Sequence, residues 1–224
     1  MKLKFVIQKK FEKSIIKTKE ISQLRGYKKQ DIDSLNTKYK KTLKYLKLTQ
    51  KLYQKSWNEI NDKFSKFIEN VTGHKWAYKN YICVISLIEP GWANDGTSNK
   101  IMRWWRDNPY FMRRITAHEL IESHFFEIYN KNYKNEELAE GQLWALSEIM
   151  AHTLTSLPKE VKEFWPWNTN YFGSYYASTG YPQLERIKGK FKQLFLSSKD
   201  FDDYIKKAIN LIKKYPKINM LSKK

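Results

Sequence analysis

The stretch Ile115-Thr116-Ala117-His118-Glu119-Leu120-Ile121-Glu122-Ser123-His124-Phe125-Phe126 constrains this chain more than any other. Leu120, Ile121, Phe125 and Phe126 make it apolar on more than one side, which predicts a helix that other elements cover. Residues four apart share a helix face, so His118 and Glu122 point the same way with Glu119 one step round. Buried carboxylates are costly unless a cation or a proton neutralises them. The fold must supply that partner, and chemistry is to be sought here.

The pattern is H-E-x-x-H with the second histidine exchanged for glutamate. Metal-assisted hydrolysis needs two helix-borne ligands, a third from elsewhere, and an unligated Glu as general base. His118 and Glu122 read as the two ligands and Glu119 as the base. Further along, Gln142 to His152 forms a second apolar helical run with Glu148 inside it, and Glu148 reads as the third ligand. His152, one turn on, is an alternate ligand or a partner that steadies the Glu148 carboxylate. His124 lies about 240° round the helix from His118 and reads as a packing or supporting residue, or as an alternate ligand if the helix is distorted there. Two carboxylates and one imidazole suit zinc and also admit Mn²⁺ or Fe²⁺.

Residues Ile115 to Ile121, preceded by an apolar strand and followed by a helix bearing Ser147-Glu148, resemble the gluzincin type of zincin-like metallopeptidase over roughly residues 76 to 155. The resemblance implies an α+β, zincin-like fold, helix-rich with a small mixed sheet and an active-site helix. It matches His118 to the first ligand, Glu119 to the general base and Glu148 to the third ligand. Glu122 stands where that family has histidine. The implied substrate is a peptide or protein.

With 224 residues and 41% hydrophobic content the chain can bury a sizeable core, so one domain over 1–224 is expected. Its parts are a basic helical stretch (1–75), the core carrying the motif (76–157), and an aromatic loop with C-terminal helices (158–224). The single cysteine, Cys83, lies in an apolar run and reads as a buried thiol. No signal-peptide core follows Met1 and no run is long enough to span a membrane, so a cytoplasmic location is expected.

The net charge of +19 is unevenly placed. Residues 1 to 60 hold 17 Lys/Arg against 5 Asp/Glu, and residues 188 to 224 hold 11 against 3. The segment between is close to neutral, which argues against a phosphate groove at the motif itself. The basic flanks read as a solvated lysine-rich face, with weak non-specific nucleic-acid binding as the alternative.

In chain order, Lys2 to Ile7 alternates and predicts a strand, and residues 9 to 24 predict a helix ended near Gly26. Asp31 or Asp33 is placed to cap one long helix running to about Val71 and ended by Gly73. Tyr81 to Ile88 predicts a central strand covered on both faces. Trp92 to Asn99 reads as a loop and Lys100 to Trp105 as a strand, which the zincin resemblance implies is the lip of the cleft. The aromatic stretch 164–182, with Trp165, Trp167 and Tyr171 among its rings, reads chiefly as packing, and residues 183–196 and 200–214 as two final helices. Three functional classes remain open: a metal-dependent peptidase, a catalytically impaired pseudoenzyme of the same fold kept for binding, and a basic nucleic-acid-binding protein.

Overall fold

The structure, a computed structural model, describes residues 1–167 and 182–218. A small mixed sheet lies among many helices, an α+β arrangement. Strands β1 (Lys2–Val6), β2 (Asn80–Ser86), β3 (Gly91–Trp92) and β4 (Lys100–Trp104) lie in the order β1-β2-β4-β3. β2 pairs in parallel with β1 and with β4, whereas β3 runs antiparallel to β4. The predicted central strand is therefore interior. The lip is a correction: β4 is also interior, and the edge strand is β3, inside the stretch read as a loop. Two residues are too few to show a periodicity of two.

Strand alternation sorts the core. Leu3, Phe5, Tyr81, Cys83, Ile85 and Ile101 occupy one face of the sheet, buried beneath α3 (Lys29–Asn58), α4 (Asn61–Thr72) and α5 (Phe111–Asn132). Burial pushes the Cys83 thiol well above its usual range, so it stays a protonated packing group. Val84, Ser86 and Met102 face the other way, where α1 (Lys9–Ile15) covers β2. Glu12 of α1 accepts hydrogen bonds from the Ser86 hydroxyl, the Leu87 and Ile88 amides and the Tyr39 hydroxyl, which ties α1 to the end of β2 and to α3.

Two predicted helices are each broken in two. Thr18 takes extended backbone between α1 and α2 (Lys19–Arg25), and Gly26 closes α2 in the left-handed region at φ 69°. The long helix breaks after Asn58, where the Ile60 amide turns back to Trp57. The break puts Asn61 under β1: its carboxamide accepts from the Leu3 amide and from Trp57 Nε1 and donates to the Met1 carbonyl. Apolar spacing ran on across the break because both halves pack on one core. Gly73, at φ 73°, ends α4 as expected. At the other end of α3, Asp31 caps from inside the first turn by accepting from the Lys28 amide.

A 3₁₀ turn (Lys134–Glu136) links α5 to α6 (Glu140–Leu154) as a helical hairpin. Then come α7 (Val161–Phe164), α8 (Pro182–Ser197) and α9 (Phe201–Ile212). α9 buries Phe201, Tyr204, Ile205, Ala208, Ile209 and Ile212, the stripe its spacing predicted. Phe164 and Trp165 pack in an aromatic cluster with Phe64, while Tyr171, Phe172, Tyr175, Tyr176 and Tyr181 lie outside the described residues. Among the described residues no helix is long and apolar enough to cross a membrane.

Candidate metal centre

α5 and α6 pack face to face as antiparallel neighbours, and their facing side chains are polar where helix contacts are usually apolar. Nε2 of His118 lies 3.1 Å from Oε2 of Glu148. Nε2 of His152 is 3.9 Å from the same carboxylate oxygen, and the His118 and His152 rings meet edge to face with centroids 4.8 Å apart. Among the described residues, His118, Glu148 and His152 offer ligand atoms that all lie within 4.8 Å of one another. Glu122 Oε2 is 3.8 Å from His118 Nε2, while its Oε1 accepts from the Ser147 hydroxyl. The predicted residues His118, Glu122 and Glu148 thus come together, and His152 joins them as the second imidazole.

Burial governs the protonation of the group. It pushes the Glu122 carboxyl well above its usual range, reinforced by the charges of Glu148 and Glu119 and opposed by the Ser147 hydrogen bond. Burial also holds His152 well below the ordinary imidazole value, and His118 and Arg114 push it the same way. A neutral imidazole is the form that binds a metal.

Glu119 stands beside the cluster, turned toward β3. Burial raises it to about 7, against the lowering pull of His118 and Arg103. Its position depends on Gly91: a Cβ built there would stand 2.1 Å from Glu119 Oε1 and 3.1 Å from Arg103 Nη1. Arg103 occupies the α5-facing side of β4, where its guanidinium bonds the Pro90 carbonyl and the Asp107 carboxylate. Neither residue is picked out by the motif. A Pro-Gly pair reads only as a turn, and a lone arginine in a strand carries no spacing signal.

His124 is placed elsewhere. Its ring lies on Trp76 with centroids 4.5 Å apart, Nε2 is 3.4 Å from the Thr72 hydroxyl, and Nδ1 is 3.5 Å from Glu127. These contacts place it against Trp76, away from the His118 cluster.

The cluster opens into a cleft of about 1150 Å³ whose lining runs from Ile15 to His152. One wall carries Trp92 and the backbone around β3; the opposite wall is α5 and α6, with Leu143 and Trp144 above the cluster. α2 adds Ile21, Leu24 and Arg25, and Arg25 bonds both Glu89 and the Gly91 carbonyl. The basic N-terminal part therefore contributes to the cleft, beyond residues 76–155.

No protein-family model, curated protein or solved structure matches the chain.

The donor set can be tested against a metal ion. Ligand atoms on one zinc ion, with bonds of about 2.0–2.2 Å, stand roughly 3.3–3.5 Å apart. The observed 3.1 and 3.9 Å, within a group bounded by 4.8 Å, need only small side-chain rotations to match. Two imidazoles and one carboxylate are also a zinc-hydrolase donor set. The residues present fit such an ion.

Proposed function

We propose that this chain is a metal-dependent hydrolase of the zincin-like, gluzincin type that cleaves peptides, its metal held by His118, Glu148 and His152. The observation that carries the reading is the convergence of those three side chains at the floor of a cleft, with the separate carboxylate of Glu119 alongside. In this reading the imidazole missing from position 122 is supplied by α6, four residues after Glu148. Zinc is the expected ion, because a second imidazole makes the site softer than one of two carboxylates and a single histidine.

When bound, a divalent ion there supplies Lewis-acid polarisation of a carbonyl and acidifies water. The chain's own residues do the rest. Glu119, held between α5 and Gly91, takes a proton from water on its carboxylate and returns it to the leaving nitrogen. Glu122, whose carboxyl burial pushes well above its usual range, accepts from the Ser147 hydroxyl and keeps it oriented. The cleft exceeds the usual 300–1,000 Å³ or so of a small-molecule pocket and suits several residues of extended chain.

The test is metal content of protein purified without added metal or chelator, together with cleavage of a mixed peptide library by the parent and by Glu119→Gln. One ion per chain, and turnover that falls about 10²- to 10⁴-fold in Glu119→Gln with metal retained, is the expected result. Metal without cleavage in the parent would make the protein a binding relative of such enzymes. Absence of metal in a preparation that also fails to take up added zinc would sink the proposal.

A further inference from the structure

α3 is held to the core by one stripe, Leu35, Tyr39, Leu46, Tyr53 and Trp57. Its outer side carries a second one. Tyr45, Leu48 and Leu52 are 58%, 55% and 42% exposed, and their three- and four-residue spacing sets them in line. At 100° per residue they lie about 100–160° round the helix from Leu46. Lys41, Lys44, Lys51 and Lys55 share that outer half and are exposed. From Ser34 to Asn58 the helix holds seven lysines and no Asp or Glu.

The apolar line continues past the end of α3. Leu52 is one turn before Ser56, whose hydroxyl donates to the Pro109 carbonyl at 2.6 Å. Directly after Pro109, Tyr110 and Phe111 are more than half exposed, and both rings meet the exposed Trp167, with centroids 5.9 and 6.4 Å apart. Leucines and lysines thus lie along the outer side of α3, with the ring group beyond its end, where Glu59 is held by Arg113. Exposed apolar side chains set in line beside aromatic rings are the kind of surface that other molecules contact.

We infer that this face docks on the surface of an anionic lipid bilayer. Leu48 and Leu52 reach the boundary between headgroups and acyl chains, the Tyr110, Phe111 and Trp167 rings sit at headgroup level, and the lysines meet the lipid phosphates. Charge selects this occupant. A second copy would set the lysines of this face against their own kind, and like charges oppose that contact. A nucleic acid would use the lysines and could stack on the rings, yet offers nothing to Leu48 and Leu52. An anionic bilayer uses all three kinds of side chain.

Flotation with vesicles of phosphatidylcholine mixed with phosphatidylserine, against phosphatidylcholine alone, tests this. The parent, K41Q/K44Q/K51Q/K55Q and Y45S/L48S/L52S would be compared, with thermal melts to confirm that these exposed substitutions leave the fold intact. The parent is expected to float only with the anionic vesicles. Each lysine near such a surface is worth about fivefold in partitioning, so the quadruple variant should bind at least about 100-fold more weakly. The triple variant should also lose binding while keeping every charge. The inference fails if the parent ignores anionic vesicles, or if it binds the neutral ones equally well. It fails equally if the triple variant binds like the parent and single-stranded DNA displaces both, which would assign the face to nucleic acid. A parent that sediments as a dimer which the triple variant splits would assign it to a second copy.

Discussion

Nε2 of His118 and Oε2 of Glu148 lie 3.1 Å apart although thirty residues separate them in the chain. The contact joins two helices that each bury most of their surface, so the pair is held from both sides by packing. Around it, one further imidazole and one further carboxylate compete for the third position.

That competition can be measured. His152→Ala should weaken zinc binding by more than about 100-fold, beyond the 10- to 100-fold typical of a residue that only supports a ligand. Glu122→Gln keeps the hydrogen-bonding shape of a protonated carboxyl and should leave zinc affinity within about tenfold. Titration of metal-free protein with zinc, read by calorimetry, separates the two. A reversed order would return Glu122 to the ligand set and make His152 its support.

Gly91 tests the setting of the base. A methyl group at Gly91 would stand 2.1 Å from Glu119 Oε1, so Gly91→Ala must move the carboxylate or the edge strand. The expected outcome is a loss of turnover of about 10²-fold or more, with metal content unchanged, matching Glu119→Gln. Comparing kcat and metal stoichiometry for both variants checks it. Full activity in Gly91→Ala would show that Glu119 is not needed in the position it holds.

His124 provides the contrast. It shares the motif helix with His118 but packs on Trp76 beside Thr72. His124→Ala should destabilise the fold by about 1–3 kcal/mol through the cavity and the lost ring contact, and leave zinc affinity unaltered. Urea denaturation and metal titration of the same variant give both numbers. A metal defect without a stability defect would mean that His124 reaches the cluster after all.

The sequence by itself determined whatever rests on near neighbours. The α5 helix, the grouping of His118, Glu119 and Glu122 on it, the buried strand β2, the inward stripe of α9 and the helix ends at Gly26 and Gly73 follow from side-chain periodicity and backbone freedom within a few residues. The α+β class and the place of Glu148 on a second apolar helix were legible for the same reason. Tertiary structure alone decided the rest. Which imidazole stands beside His118 depends on how far α6 is rotated against α5, which is set by the packing of two helical surfaces and not by spacing in either. The edge strand β3 exists only because β4 offers it a partner, and the break after Asn58 answers to the contacts of Asn61 with β1. Gly91 and Arg103 became functional candidates only when folding carried Glu119 against them. Local periodicity fixes which residues share a face, and close packing between distant segments fixes what that face meets.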